Sequence, residues 1–258
     1  MQVNNYYHYQ SALSKEQCQY IIDAGLKEIS NKKKEGQSTA AITFGKNHKQ
    51  GNLDLDARPL GEITYEQLSK EQNKTKSELV NSTYIRDSEV AWLTEQKIYD
   101  MILPFVHSSN FNAGWKYDLE SFEQMQFTVY KPNGFYGWHL DGPNDHLSVY
   151  KRYIDGLSPP LEKNGEVPQG YTKNSNHVGL VRKISITINL NEPGDYEGGN
   201  LKFDFGPHTD KERFHECTEI RPQGSLIAFP SFLYHQVTPV VKGTRYSLVL
   251  WSLGRPFR

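Results

Sequence analysis

Short segments in which apolar and polar residues alternate dominate the chain from about residue 120 to residue 252. The most regular of them is Ile184–Leu190, where every second residue is isoleucine or leucine. Such alternation is typical of a β-strand, because successive side chains point to opposite faces. Further strand candidates are Met125–Tyr130, Leu226–Phe229 and Tyr246–Trp251. Turn sequences separate these segments and few helical patterns intervene, so the pattern predicts an antiparallel barrel or sandwich.

Two helices are predicted in the first part of the chain. Ser14 and Gln17 form a capping-box pattern, and apolar residues follow at helical spacing as far as Ile29. A second helix is predicted over residues 95–109, with Pro104 expected to kink or end it.

Two long polar segments read as loops. Residues 31–83 begin with a lysine run and contain several glycines, which predicts a loop with one or two short strands. Residues 142–182 show little periodicity, and a loop of that length in a compact domain is usually functional or mobile.

Charge and composition exclude several classes of protein. The 258 residues include 29 lysines and arginines against 30 aspartates and glutamates, and this net charge of −1 predicts no nucleic-acid partner. No apolar run approaches the roughly 20 residues that cross a membrane. We therefore expect no membrane partner, and no signal peptide is visible at the N-terminus. Cys18 and Cys217 form neither a disulfide framework nor a zinc pattern, which favours a cytoplasmic protein.

The spacing of three residues points to a metal site. His139 and Asp141 stand two residues apart at the end of a strand-like run, so both side chains are expected on one face. His235 follows another strand candidate at a comparable place and could supply a third ligand. Two histidines and one carboxylate form the facial triad that leaves positions open on non-haem Fe(II). The His-x-Asp pair alone is a weak signal, because it occurs by chance in many proteins.

An arginine at the start of the last strand candidate strengthens this interpretation. Alternation places Arg245, Ser247, Val249 and Trp251 on one face of that strand. An arginine that faces a barrel interior needs a partner, because an uncompensated buried charge is very costly. A carboxylate of a small dianion would satisfy it. The alternative is an arginine at the sheet edge that reaches solvent.

These motifs together resemble a known family. His139-Leu140-Asp141, His235 and Arg245 occur in the order and spacing of the 2-oxoglutarate- and Fe(II)-dependent oxygenases, with the closest similarity to the prolyl 4-hydroxylase-like branch. The segment Tyr130–His139 is similar to that branch's approach to its first ligand. The resemblance runs from about residue 120 to 252. Asn200 is a mild departure, since relatives often carry an acidic residue there.

The resemblance implies a fold and a set of site residues. The fold would be mainly β with supporting helices, with a double-stranded β-helix (jelly-roll, cupin-like) core. The chain would form one domain, in which residues 1–119 support a core of residues 120–252. His139, Asp141 and His235 would bind the metal. The predicted 2-oxoglutarate-binding residues are Arg245, Tyr130, Asn189, Thr187 and Ser247, and possible substrate or loop contacts are Tyr136, Trp138, Trp251 and His146.

The implied activity is a dioxygenase reaction that uses Fe(II), 2-oxoglutarate and O2, with ascorbate as reductant. Such an enzyme hydroxylates a C–H bond and releases succinate and CO2. The presence of Asp141 favours hydroxylation over halogenation, because halogenating relatives carry a small residue in its place. A prolyl residue in a peptide or protein is the first expectation for the substrate. A small-molecule substrate, a non-catalytic metal- or ligand-binding barrel and a zinc hydrolase with the same three ligands are the alternatives.

Overall fold

The computed structural model describes residues 3–41, 86–142, 148–161, 165–168, 170–207, 210 and 212–257. Within these residues the protein is mainly β with two supporting helices, as predicted. The helices are α1 (Lys15–Lys34) and α2 (Gln96–Asn112). The strands are β1 (Tyr7–Tyr9), β2 (Arg86–Asp87), β3 (Glu89–Leu93), β4 (Ser121–Phe122), β5 (Met125–Tyr130), β6 (Phe135–His139), β7 (Lys151–Arg152), β8 (Tyr171–Thr172), β9 (Val181–Asn189), β10 (Tyr196–Gly198), β11 (Leu201–Asp204), β12 (Phe214–Glu216), β13 (Leu226–Pro230), β14 (Tyr234–Val237), β15 (Val240–Gly243) and β16 (Arg245–Gly254).

Two antiparallel sheets form the body of the molecule. The large sheet has the order β1-β13-β9-β16-β5-β3, with β4 beside the end of β16. The small sheet has the order β12-β11-β14-β6-β2. Strands that are distant in sequence therefore lie side by side, and β14 pairs with β6 so that His235 stands opposite His139.

Helix α1 confirms the predicted capping box. The Ser14 hydroxyl accepts a hydrogen bond from the backbone N–H of Gln17, and the Gln17 side chain accepts one from the backbone N–H of Ser14. The lysine run, Lys32–Lys34, lies in the last turn of this helix and not in the predicted loop. Cations are favoured there because the helix dipole places negative charge at the C-terminus. Most of the rest of that predicted loop lies outside the described residues.

Helix α2 continues through Pro104 to Asn112, so the proline does not end it as one expectation had it. Pro104 lies on the exposed side of the helix, where water can bond the carbonyl that the proline leaves without a partner. On the opposite side Ile98, Ile102 and Val106 are buried against the large sheet. Among the described residues, no helix is long and apolar enough to span a membrane.

The helices cover one face of the large sheet. The isoleucines of β9, namely Ile184, Ile186 and Ile188, are fully buried in a core that includes residues of both helices. Helix α1 comes close to this face at Gly25, where a Cβ atom would lie 2.2 Å from the ring of Phe127. Only glycine fits this contact, which offsets its modest cost in helix stability. The opposite face of the same sheet is polar and turns toward the small sheet. We call the region between these two facing sheets the cavity.

The segment after Asp141 contains more structure than its sequence predicted. Strands β7 and β8 pair in parallel within it, and a short 3-10 turn covers Ser175–His177. The strap, as we call the described part of residues 148–180, is thus closed by backbone hydrogen bonds between its two arms. Its sequence signal is weak because the paired strands have only two residues each.

Candidate active site

The small sheet brings His139, Asp141 and His235 together. The Nε2 atom of His139 is 3.5 Å from Oδ1 of Asp141, and the Nε2 atom of His235 is 3.6 Å from Oδ2. One ligand atom from each residue lies within 4.8 Å of the others, so the three could hold one metal ion. Asp141 is 6% exposed and His235 is 5% exposed. This is the only such group of histidine, cysteine and acidic residues in the described part of the chain.

Backbone contacts fix the orientation of both imidazoles. Nδ1 of His139 lies 2.7 Å from the carbonyl oxygen of Gly137, and Nδ1 of His235 lies 2.8 Å from that of Leu233. A carbonyl oxygen only accepts hydrogen bonds, so each Nδ1 carries the proton and donates it. In this tautomer the nitrogen that is free to bind a metal is Nε2, which faces the other two residues. This arrangement is common for metal-binding histidines.

Electrostatics leave Asp141 and His235 in the protonation states that metal binding requires. Burial is the largest influence on His235 and, with the nearby His139, lowers its pKa to about 4. The imidazole is therefore neutral near pH 7. Burial alone would raise the pKa of Asp141, but His235 and His139 outweigh it and hold that pKa below its usual range. A neutral imidazole and an ionised carboxylate are the forms that bind a divalent cation.

An extra residue in β6 places Tyr136 against the triad. The pairing of β14 with β6 shifts between Tyr136 and His139, where β6 advances three residues while β14 advances two. Regular alternation would put these side chains on opposite faces. The bulge instead lets the Tyr136 ring stack on the His139 ring, with 3.5 Å between centroids. Burial raises the pKa of Tyr136 to about 12, so its hydroxyl keeps its proton.

Arg245 lies inside the molecule and not at a solvent-exposed edge. It is 1% exposed, and its guanidinium group lies 5.3 Å from the centre of the Tyr130 ring. Nη1 donates to the Ser247 hydroxyl, whereas Nε has no hydrogen-bond partner among the described residues. No carboxylate among the described residues pairs with it within 4.0 Å. A cation this deeply buried with neutral neighbours is poised to bind an anion.

Gly199 makes room for this arginine. A Cβ atom at position 199 would lie 2.9 Å from Cδ of Arg245, and Gly199 has a φ of +60°. Both features require glycine. The structure thus gives a physical reason for the second glycine of the pair Gly198-Gly199.

The other predicted cosubstrate residues lie on the same polar face. Ser247 stands opposite Asn189 on β9, and Thr187 stands opposite Val249. The side-chain amide of Asn189 is already engaged: it donates to two backbone carbonyl groups and accepts from the hydroxyl of Tyr196. A role for Asn189, Thr187 and Ser247 in binding 2-oxoglutarate stays a prediction.

The predicted substrate contacts divide into three groups. Tyr136 and Trp251 lie on the cavity side, and Trp251 is buried with its indole N–H unpartnered. Trp138 stacks on Tyr234. Because adjacent residues of a strand point to opposite faces and His235 points into the cavity, Tyr234 and Trp138 lie on the outer face of the small sheet. His146 lies outside the described residues. Their contacts with a substrate stay predictions.

Sequence reasoning missed a buried ion pair beside the cavity. Nε and Nη2 of Arg182 each donate to Glu123 over 2.6 Å, and the guanidinium group lies 3.9 Å from the centre of the Trp251 ring. Alternation from Ile184 would send Arg182 to the helix-covered face. The pairing of β9 with β16 shifts at Lys183, and this bulge turns Arg182 toward the cavity side. The one usable sequence signal was that Arg182 precedes Ile184, Ile186 and Ile188 in a series of alternate residues that is otherwise apolar.

Comparison with known proteins decides the family. A family model described as the 2OG-Fe(II) oxygenase superfamily matches residues 125–253, which is half of the chain. The chain belongs to the 2OG-Fe(II) oxygenase superfamily. The match begins with β5 and ends in β16, so it includes the triad and Arg245.

Relatives of this superfamily member are named hydroxylases. A PKHD-type hydroxylase of Picosynechococcus sp. is 40% identical over 106 residues, which is 41% of this chain and 41% of that protein. One from Xylella fastidiosa is 31% identical over 128 residues, 49% of this chain and 42% of that protein. The chain thus matches about two fifths of the length of these curated relatives.

The nature of the fold follows from a solved structure. The viral collagen prolyl hydroxylase from Paramecium Bursaria Chlorella virus-1, in complex with 2OG, is similar with a TM-score of 0.52 and 17% identity. The similarity covers 97% of both chains. At this identity the similarity concerns the fold alone, and it confirms the predicted double-stranded β-helix.

The residues present fit the two ligands after which this oxygenase superfamily is named. Two imidazole groups and one ionised carboxylate suit Fe(II) and leave other metal positions open. Arg245, with its unpartnered Nε, suits an anionic cosubstrate such as 2-oxoglutarate. Nothing in the described cavity offers Arg245 an internal carboxylate instead.

Proposed function

We propose that this protein is an Fe(II)- and 2-oxoglutarate-dependent hydroxylase. The observation that carries the proposal is the pairing of two features across one cavity. One is the converging triad, and the other is the buried Arg245 without an anionic partner. A metal site alone would suit several chemistries, but the reaction of a zinc hydrolase does not require a second, anionic cosubstrate, which Arg245 is placed to bind.

His139, Asp141 and His235 would hold the iron through two Nε2 atoms and one carboxylate. Arg245 would bind the distal carboxylate of 2-oxoglutarate by a charge-assisted hydrogen bond, and the Tyr130 hydroxyl would donate a further one. Bound Fe(II) would supply the chemistry with O2: one oxygen atom would enter succinate as 2-oxoglutarate loses CO2, and the other would enter the substrate C–H bond as a hydroxyl group. The surrounding aromatic residues would exclude water.

The substrate we propose is a prolyl residue in a peptide or protein. The support is the branch that the motif order resembles, together with the names of the relatives, which include hydroxylases and one collagen prolyl hydroxylase. Ascorbate would keep the iron reduced between turnovers. We further propose that residues 1–119 support a single domain, since α1 and α2 pack on the large sheet.

The test is succinate formation from 2-oxoglutarate with Fe(II), ascorbate and a panel of proline-containing peptides and small molecules. Mass spectrometry would detect a gain of one oxygen in the substrate. We expect His139→Ala and Asp141→Ala to abolish the iron-dependent turnover, while the matched control His107→Ala, at an exposed position of α2, keeps it.

Three results would overturn the proposal or part of it. Binding of Fe(II) and 2-oxoglutarate without turnover for any member of the panel would indicate a non-catalytic binding protein. Activity with zinc and not with iron would indicate a hydrolase. Hydroxylation of a small molecule and of no peptide would overturn the prolyl substrate alone.

A further inference from the structure

The strap returns to the barrel next to the candidate site. The backbone N–H of Lys151 donates to Gly170 over 2.8 Å, and that of Tyr150 donates to Leu180 over 3.0 Å. The strap is therefore closed along its arms and reaches the barrel at the start of β9. Tyr150 stands at the point where the closed strap meets the sheet.

The side chain of Tyr150 makes the contact with the barrel. Its hydroxyl donates to Oε1 of Glu123 over 2.9 Å, and the same carboxylate binds Arg182 through both of its oxygens. Glu123 is 9% exposed. Burial raises the pKa of the Tyr150 hydroxyl, so the proton needed for this bond is present over the working pH range. The hydroxyl is thus a donor to a buried, charged acceptor, which is among the stronger hydrogen bonds in proteins.

This anchor lies beside the cavity and not at a remote surface. Arg182 stacks on Trp251, and its charge acts on both Asp141 and Tyr136. A second contact ties the strap to the residues around Trp251, since the indole N–H of Trp92 donates to Glu166 over 3.2 Å. The ring of Trp92 lies 6.3 Å from that of Trp251. The strap is therefore attached to the same group of side chains, Arg182, Trp251 and Trp92, that lies beside the cavity.

We propose that Tyr150 is a positioning residue whose hydroxyl fastens the strap to the Glu123–Arg182 pair, so that the substrate is held in place and 2-oxoglutarate is not consumed unproductively. This inference rests on the proposed hydroxylase function. The ion pair does not need Tyr150, because Glu123 and Arg182 bind each other directly with two hydrogen bonds. Removing the hydroxyl therefore loosens the strap and leaves the Glu123–Arg182 ion pair intact.

The first experiment needs neither metal nor substrate. Tyr150→Phe removes one oxygen atom, and Tyr153→Phe is the matched control, because the Tyr153 side chain makes ring contacts within the strap and no side-chain hydrogen bond to any described residue. In limited trypsin digestion we expect cleavage at the exposed Arg152 and Lys173 to become about tenfold faster in Tyr150→Phe and unchanged in Tyr153→Phe. Amide hydrogen exchange across residues 148–180 should increase in parallel.

The second experiment measures coupling, with the substrate identified by the peptide panel. We expect Tyr150→Phe to raise the KM for that substrate and the ratio of succinate to hydroxylated product several-fold, with the KM for 2-oxoglutarate unchanged. Equal protease and exchange rates in the two variants would overturn the inference, and so would a loosened strap with unchanged coupling. Absence of turnover in the unmodified protein would refute the hydroxylase function, while the protease and exchange result would still decide whether Tyr150 fastens the strap.

Discussion

The helix-covered face of the large sheet is apolar and closely packed, whereas its other face is polar, equally buried and only partly hydrogen-bonded. Ile184, Ile186 and Ile188 lie on the first face, and Ser185 and Arg245 lie on the second. Both faces belong to the same strands. The difference shows that burial has separate uses here: on one face it stabilises the fold, and on the other it prepares polar groups for a ligand at a cost in stability.

The largest effect on stability is expected from a change on the helix-covered face. Ile186→Ala removes a fully buried side chain from the centre of the core, and we expect a loss of about 3 to 4 kcal/mol in the free energy of unfolding, since a cavity is left. Urea denaturation monitored by circular dichroism measures this. A loss below about 1 kcal/mol would show that this face can collapse around a cavity.

A change on the cavity face should instead separate function from stability. For Arg245→Met we expect an affinity for 2-oxoglutarate at least about 100-fold lower, because a buried charge-assisted pair is lost. The free energy of unfolding should stay equal or rise, because an unpaired buried charge is removed. Isothermal titration calorimetry with Fe(II) and without oxygen measures the first, and urea denaturation the second. A destabilised variant with unchanged affinity would assign Arg245 to the fold.

A smaller effect is expected beside Ile186 on the opposite face. The Ser185 hydroxyl donates to that of Ser231 over 3.0 Å, and the backbone carbonyl of Ser231 accepts a hydrogen bond from the backbone N–H of Asp141. Ser185→Ala should cost about 1 kcal/mol, the value of one hydrogen bond, with iron binding retained. Urea denaturation and Fe(II) titration would check this. If the cost matched that of Ile186→Ala, the two faces would not differ as described.

The smallest effect is expected on the outer face of the small sheet. Phe214 is 46% exposed and its ring lies 5.2 Å from that of Trp138. Phe214→Ala should cost about 0.5 to 1 kcal/mol, because the contacts of its ring with Trp138 and with the Arg213 guanidinium group lie at the surface. Both Fe(II) binding and 2-oxoglutarate binding should be unchanged. A large loss of either would show that this outer face contributes to the site.

The regular parts of the molecule could be predicted from sequence. The strand Val181–Asn189 contains the predicted segment almost whole, and the capping box at Ser14 begins a helix at the expected residue. Their signals are local, because periodicity and capping involve residues close in sequence. The bringing together of His139 and His235 was also foreseen, through the resemblance more than through any pattern between them.

The irregular parts could not be predicted in the same way. The bulge between Tyr136 and His139 and the bulge at Lys183 depend on which strand pairs with which. Glu123 comes just before β5, and nothing in its neighbourhood indicates that it binds an arginine 59 residues away. Such contacts are decided by the assembled sheets, so single-sequence patterns do not identify the partners, even where Arg182 stands out in an apolar series.

Because of the extra residue at Lys183, the number of residues in β9 determines which face of the sheet Arg182 lies on. Shortening the strand by this residue would restore ordinary pairing with β16 and rotate Arg182 into the layer of isoleucines beneath α1 and α2. An alignment of relatives that closes the gap at this position would therefore match Arg182 with core residues, although in space it belongs with the groups around the cavity.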